Sequence, residues 1–280
     1  MVLRSILIFT VIICLGILAQ SCDAQDLKAG EITKIYFDDK DFPPTLYTMF
    51  TGQPSTATLQ VRLPDDYTPE KNYPLLLYIP GLNGKAGGNI QNAVDIGGTE
   101  GCITASLPLF KKHIDPTELG QGIIISFEDY PRLSECYRIM LNKLFELVPN
   151  IDFDQSAAVG YSNGAIALSV LVSCHDEFIL EHFKSFCFVD QGMFHLTDLH
   201  KSLARDCGYL ILAGGLADYG RELKVEQCKL LYDSWQLLKI DLQYAIMKDV
   251  GHELEPFKDI IGRWFWDKEY TIPTEIEADK

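Results

Sequence analysis

The chain has 280 residues, of which 47% are hydrophobic and 22% are charged, and its formal net charge is −15 at pH 7. This composition is typical of a folded globular protein and excludes a disordered or fibrous chain. The acidic balance also argues against a nucleic-acid partner, because binding to a phosphate backbone needs clustered Lys and Arg, and the chain has no such cluster.

The amino terminus has the pattern of an export signal. Arg4 precedes an apolar run over 6–18, and small and polar residues follow over 19–24. The apolar run is shorter than the roughly 20 residues of a transmembrane helix, so we expect no membrane span in the mature chain. Residues 1–24 are therefore predicted to be a signal peptide and the mature protein to be secreted or extracytoplasmic. An alternative is a bacterial lipoprotein signal that ends before Cys22, which would then carry a lipid anchor.

The remainder, 25–280, is predicted to be a single domain, since no repeat, low-complexity tract or linker divides it. Of its eight short β-like runs, the first two alternate between apolar and polar residues, which predicts an antiparallel edge. The later runs are continuously apolar, as in strands buried on both faces of a parallel sheet. The predicted strands are 32–37, 57–63, 75–79, 122–127, 156–160, 186–190, 208–213 and 242–247.

Helix-like segments with apolar residues at three-to-four spacing alternate with these later strands. Such alternation predicts a mostly parallel sheet flanked by helices. The connection over 191–207 is too short for a large lid domain. The predicted helices are 133–147, 163–173, 221–238 and 253–266.

Of the eight cysteines, Cys14 and Cys22 lie in the leader, which leaves six in the mature chain. An even number in an exported protein permits up to three disulfides. The alternative is that Cys187 and Cys207, which lie in apolar strand-like runs, are buried thiols. The six are Cys102, Cys136, Cys174, Cys187, Cys207 and Cys228.

The most informative motif is Gly160-Tyr161-Ser162-Asn163-Gly164, which follows a small apolar run and opens the predicted helix 163–173. The G-x-S-x-G pattern makes a sharp strand-to-helix turn, in which a strained serine projects its Oγ above the sheet. Only small residues fit beside such a serine, and glycine stands at both flanks. Ser162 is therefore predicted to be a nucleophile.

Two further residues stand where a serine nucleophile needs partners. Asp218 follows the seventh predicted strand after two glycines, and His252 follows the eighth, just before the last helix. With Ser162, this order resembles the α/β-hydrolase superfamily, and more narrowly its compact secreted esterases of the feruloyl-esterase and polyhydroxybutyrate-depolymerase type, over about residues 55–267. The resemblance implies an α/β-hydrolase fold with an eight-stranded sheet, His252 as the general base and Asp218 as the acid that orients it. Asp190, after the sixth strand, is the alternative acid.

The resemblance also implies an oxyanion hole made by two backbone N–H groups. Asn163 is expected to supply one of them. Leu82 is expected to supply the other from the loop over 80–84, where Pro80 replaces the histidine that is usual in the family.

Residues at the carboxyl ends of strands line the site in open α/β sheets. The aromatic residues at these strand ends favour a substrate with an apolar or aromatic acyl group. The alternative is that the same rings pack in the core. The candidates for lining the substrate site are Phe127, Tyr130, Met193, Phe194 and Tyr219.

Together these patterns predict an exported serine hydrolase that cleaves carboxylic esters, carried by a small molecule or a polymer. One alternative is a serine peptidase or acyltransferase that uses the same residues, and another is a non-catalytic cell-surface binding protein with a hydrolase fold. No cofactor is expected. No metal site is expected either, because neither H-E-x-x-H nor paired C-x-x-C occurs.

Overall fold

The computed structural model describes residues 27–38, 40–42, 57–81, 89–109, 127–192, 196, 206–215 and 221–277. Nine strands of these residues form one sheet. They are β1 (Ile32–Phe37), β2 (Ala57–Arg62), β3 (Tyr73–Ile79), β4 (Ile103–Ser106), β5 (Ile151–Tyr161), β6 (Ser185–Val189), β7 (Gly208–Gly214), β8 (Asp241–Lys248) and β9 (Glu275–Glu277). Their spatial order is β1-β2-β4-β3-β5-β6-β7-β8-β9. The pairs β1–β2 and β2–β4 are antiparallel, and all the others are parallel.

Helices pack on both faces of this sheet. They are α1 (Ile90–Gly97), α2 (Tyr130–Leu147), α3 (Asn163–Ser173), α4 (Glu177–His182), α5 (Arg221–Leu238) and α6 (Lys258–Trp266), with 3-10 turns at Phe127–Asp129 and Glu255–Phe257. Within the part of the chain that the structure describes, no helix is long and apolar enough to cross a membrane.

The strand β3 shows why the sheet needs helices on both sides. Its side chains alternate between two buried clusters, Leu75 and Leu77 on one face and Leu76 and Tyr78 on the other. The first cluster is closed by residues of α2, α3, α4 and α5, and the second by residues of α1 and α6. Each fully buried leucine contributes about 1.5–3 kcal/mol relative to an exposed one, so a continuously apolar strand is stable only at the centre of such a layered structure.

The predicted mostly parallel sheet with an antiparallel edge is confirmed, but the described residues form nine strands where eight are predicted. Two of the observed strands have no apolar run to indicate them. β4 is a short Ile-Thr-Ala-Ser segment, which pairs with β2 on one side and β3 on the other. β9 has three residues, largely exposed, and pairs with β8. The predicted strand 122–127 lies outside the described residues, except for Phe127, which begins a 3-10 turn.

The helix predictions hold most closely where the apolar spacing is uninterrupted. α3 and α5 have the predicted bounds. α2 begins earlier than predicted, at Tyr130, because Pro131 is favourable in the first turn of a helix. The predicted helix 253–266 begins instead as a 3-10 turn that contains Pro256 and continues as α6. The short helices α1 and α4 are not among the predicted helices.

The six cysteines after residue 24 all lie among the described residues, and each is a free thiol. Cys187 and Cys207 are buried, which confirms their interpretation as small apolar side chains. Burial raises the pKa of the Cys102 thiol to about 12 and that of the Cys187 thiol well above its ordinary value. Because the thiolate is the reactive form, these side chains are chemically inert in the folded protein.

Candidate active site

Ser162 forms a strained turn between β5 and α3. Its backbone has φ 53° and ψ −120°, a left-handed conformation that costs a non-glycine residue about 1–3 kcal/mol. Two hydrogen bonds hold it in place, since the Ser162 N–H donates to the carbonyl of Val189 at 2.9 Å and the Ser162 carbonyl accepts from the N–H of Ile166 at 3.1 Å. The turn is therefore fixed by its neighbours on both sides.

The glycines that flank the serine are required by close backbone approaches. A Cβ on Gly160 would lie 2.5 Å from the carbonyl oxygen of Gly164, and a Cβ on Gly164 would overlap the carbonyl oxygen of Ile79. A heavy-atom contact this short does not occur in folded proteins, so no larger residue fits either position without movement of the backbone. This geometry is the one predicted from the G-x-S-x-G motif.

His252 reaches the serine from the loop after β8. Its Nε2 lies 2.8 Å from the Oγ of Ser162, and its Nδ1 is hydrogen-bonded to Oδ2 of Asp190. A carboxylate can only accept, so the hydrogen lies on Nδ1 and the unprotonated Nε2 accepts from the serine hydroxyl. The side chain of His252 is 34% exposed, which leaves one part of the ring open to a substrate.

Asp190 follows β6 directly, and its carboxylate is completely buried. Its Oδ1 accepts from the N–H of Gly214 at 3.3 Å, and its own N–H donates to Leu212 at 2.7 Å. The backbone turns sharply here, with φ 58°. Neighbouring strands thus aim this carboxylate at the imidazole.

The structure places the alternative acid, Asp190, at the histidine, and the assignment of Asp218 stays a prediction. The Nδ1 atom of His252 has one hydrogen to donate, and Asp190 accepts it. Asp218 lies outside the described residues. The two positions are hard to separate by sequence, because they follow the adjacent strands β6 and β7, which end at the same edge of the sheet.

The predicted oxyanion hole is described in part. Asn163 is the first residue of α3, so its N–H has no acceptor within the helix, and the positive end of the helix dipole lies beside Ser162. Leu82 lies outside the described residues. Its neighbour Gly81 passes so close to the serine that a Cβ there would lie 2.7 Å from the Cβ of Ser162. Gly81, which precedes Leu82, therefore lies beside the nucleophile, and the role of Leu82 stays a prediction.

The structure describes two of the five residues that are predicted to line the substrate site, Phe127 and Tyr130. Met193, Phe194 and Tyr219 lie outside the described residues, and Phe127 is 45% exposed. Tyr130 is half-buried, and burial together with the nearby Asp176 raises the pKa of its phenol. The assignment of these five residues to the substrate site stays a prediction.

One residue beside the serine has contacts that the motif does not reveal. Tyr161, the last residue of β5, donates its hydroxyl to the backbone carbonyl of His252 at 2.7 Å, and the two rings stack with centroids 5.2 Å apart. In the sequence Tyr161 occupies an unspecified position of G-x-S-x-G, so no pattern could have indicated this role. No cluster of three or more His, Cys, Asp or Glu that could hold a metal ion occurs among the described residues.

Solved structures with this architecture include esterases and peptidases. A thermostable esterase matches 86% of this chain and 61% of its own length, with a TM-score of 0.51 and 14% identity. A feruloyl esterase module from Clostridium thermocellum, complexed with sinapinate, matches 90% of this chain and 95% of its own, with a TM-score of 0.52 and 12% identity. The acylaminoacyl peptidase of Pyrococcus horikoshii matches 88% of this chain and 43% of its own, with a TM-score of 0.53 and 12% identity.

The chain thus has the α/β-hydrolase fold that its sequence resembles. It spans less than two thirds of the first esterase and of the peptidase, and nearly all of the feruloyl esterase module. No protein-family model matches it, and neither does the sequence of any curated protein. Because the sequence identities to these structures are low, the structural similarity establishes the fold only. The reaction has to be argued from the geometry of the site.

Proposed function

We propose that this protein is an exported serine hydrolase that cleaves carboxylic esters through an acyl-enzyme on Ser162. One observation carries the proposal: Nε2 of His252 lies 2.8 Å from the serine Oγ while the buried carboxylate of Asp190 holds its Nδ1. This arrangement lets a neutral imidazole accept the hydroxyl proton as the oxygen attacks an acyl carbon.

The first half of the reaction forms the acyl-enzyme. The Oγ of Ser162 bonds to the ester carbonyl carbon, its proton moves to Nε2 of His252, and the carbonyl electron pair moves to oxygen. The N–H of Asn163 and that of Leu82 stabilise this oxyanion. When the carbonyl re-forms, the bond to the alkoxy oxygen breaks, and the leaving group takes the proton from Nε2 as an alcohol.

The second half releases the acid. Water bonds to the acyl carbon and gives one proton to Nε2 of His252. As the second oxyanion collapses, the bond between the acyl carbon and Oγ of Ser162 breaks, and Oγ takes that proton from Nε2. The products are a carboxylic acid and the regenerated enzyme. Throughout, Asp190 fixes the ring tautomer and stabilises the imidazolium that forms in each half.

The substrate class we propose is an ester with an apolar or aromatic acyl group. The feruloyl esterase module that shares the fold over nearly its full length is complexed with sinapinate, which makes sinapoyl and related aromatic esters the first substrates to test. The partly exposed ring of His252 supports a site that admits such groups.

The decisive experiment is labelling with a fluorophosphonate probe. The serine oxygen bonds to phosphorus and fluoride leaves, so a functional nucleophile becomes covalently tagged. We expect the full-length protein to label and Ser162→Ala to remain unlabelled. A folded wild-type protein that does not label would reject the proposal and would favour the non-catalytic binding protein instead.

A peptidase is the second candidate, because the structural match to the acylaminoacyl peptidase covers 88% of this chain. The same three side chains can attack an amide, and fold alone does not choose between the two substrates. Matched ester and anilide substrates with one acyl group separate the candidates. Turnover confined to the anilide would overturn the esterase assignment.

The export part of the proposal rests on residues 1–24. Sequencing the amino terminus of the mature protein, purified from a host that secretes it, tests this part. A start near Cys22 or Gln25 supports cleavage, and a lipid mass on Cys22 would identify the lipoprotein alternative. An uncleaved chain that stays in the cytoplasm would contradict export without affecting the assignment of the site.

A further inference from the structure

His252 belongs to a segment that has little regular structure to hold it. The residues over 249–254 are neither helix nor strand, and Asp249 begins the segment with a φ of 60°. The side chains of Val250 and Leu254 are buried and anchor its two ends. The histidine lies between these anchors, so its position depends on contacts made by His252 itself.

Tyr161 makes two such contacts. Its hydroxyl donates to the backbone carbonyl of His252 at 2.7 Å, which fixes the loop. Its ring lies against the imidazole at 5.2 Å between centroids, with an interplanar angle of 27°, which restricts rotation of the ring. Asp190 and Ser162 hold only the edge of the imidazole, through its two nitrogens.

The position of Tyr161 in the chain makes these contacts effective. It is the last residue of β5, a central strand paired with β3 and β6, and it precedes Ser162 directly. The rigid segment that carries the nucleophile therefore also holds the base. The hydrogen bond from Tyr161 to His252 therefore links the two residues that carry Oγ and Nε2 by a short path. A short path of this kind fixes the distance between these two atoms.

We infer that Tyr161 is a positioning residue that holds His252 against the end of β5 in register with Ser162. The expected effect on kcat rests on the proposed hydrolase function. The expected effect on hydrogen exchange of the histidine loop can be measured without any substrate. In this role Tyr161 acts through the histidine loop, which its hydroxyl binds, and through the imidazole, against which its ring stacks.

The test uses two substitutions at this position and one matched control. Tyr161→Phe keeps the stacked ring and removes the hydroxyl, and Tyr161→Leu removes both. Tyr67→Phe removes a hydroxyl with a similar hydrogen bond, 2.8 Å to Asn150, which precedes the opposite end of β5. All three are measured in the full-length protein by ester hydrolysis, thermal unfolding and hydrogen exchange of the peptide that covers 249–256.

We expect Tyr161→Phe to lower kcat by about three- to tenfold with KM unchanged, the size expected for the loss of one hydrogen bond. Tyr161→Leu should lower kcat further, so that the ring accounts for the difference between the two variants. Both should speed hydrogen exchange over 249–256, and Tyr67→Phe should change neither kcat nor this exchange.

Three results would overturn the inference. The first is unchanged exchange of this segment in both Tyr161 variants, whether or not the protein hydrolyses esters. The second is a rise in KM with kcat unchanged, which would assign Tyr161 to substrate binding. The third is an equal loss in Tyr67→Phe, which would indicate a general loss of stability. An inactive, unlabelled wild type that still shows the expected exchange would reject the hydrolase function and keep the positioning role.

Discussion

The backbone N–H of Ser162 donates to the carbonyl of Val189 at 2.9 Å, and the residue after Val189 is Asp190, whose carboxylate holds His252. The end of β6 therefore positions the nucleophile through its backbone and the base through its next side chain. This one strand end couples the geometry of all three groups.

The acid can be identified by removing each candidate carboxylate. Asp190→Asn keeps the shape of the side chain but favours the wrong tautomer of His252, so we expect kcat to fall by about three to four orders of magnitude. Asp218→Asn is the matched control, and it should change kcat by less than about threefold if Asp190 is the acid. Steady-state ester hydrolysis measures both, and the reverse order of effects would identify Asp218 as the acid.

The strain at Ser162 predicts a gain in stability when the side chain is removed. Ser162→Gly and Ser162→Ala both lose the hydroxyl and should both be inactive. Only glycine tolerates a φ of 53° without strain, so the glycine variant should be more stable than the alanine variant by about 1 kcal/mol, after allowance for its extra entropy when unfolded. Urea unfolding followed by circular dichroism compares them, and equal or reversed stabilities would show that the turn is unstrained.

The glycine after the nucleophile is predicted to be intolerant of any side chain. Alanine favours a helix over glycine by about 1 kcal/mol, yet a Cβ on Gly164 would overlap the carbonyl of Ile79, and overpacking of this kind costs about 1–3 kcal/mol or more. We expect Gly164→Ala to lower the free energy of unfolding by at least about 1 kcal/mol.

Gly208→Ala is the control for this substitution, because the nearest atom to its Cβ would be 3.5 Å away. Its effect should stay within about 0.5 kcal/mol. Chemical denaturation measures both variants, and a Gly164→Ala protein as stable as the wild type would show that β3 and α3 are less closely packed than the structure indicates.

A surface carboxylate predicts one part of the pH dependence of stability. Lys71, at 2.7 Å, and the N–H of Gly101, at 2.8 Å, hold the pKa of Asp66 below its ordinary value. A lowered folded-state pKa stabilises the folded protein above the unfolded-state pKa of about 3.9, and this stabilisation is lost as the pH falls through the lower, folded value.

We therefore expect the stability difference between the wild type and Asp66→Asn to be largest near neutral pH and to shrink below about pH 4. Asp154→Asn, at an exposed position in β5, is the control and should show a smaller change. Unfolding free energies measured from neutral pH down to about pH 2 provide the comparison. A difference that grows on acidification would contradict the lowered pKa.

The sequence by itself determined the features that local chemistry specifies. The uninterrupted apolar runs specify central parallel strands, because only a doubly covered strand can bury both of its faces. Gly160 and Gly164 specify the turn at Ser162, because no other residue fits there. The start of α3 at Asn163 likewise follows from the motif, because the turn at Ser162 leads directly into a helix.

Only the tertiary structure decided which groups meet. Asp190 and Asp218 both follow strands that end at one edge of the sheet, and the structure shows the carboxylate of Asp190 at Nδ1 of His252. The contact of Tyr161 with the histidine joins residues 91 positions apart, so no local pattern encodes it. β4 and β9 are strands because partners lie beside them, since a short segment without an apolar run gains its backbone hydrogen bonds only from the strands that it joins.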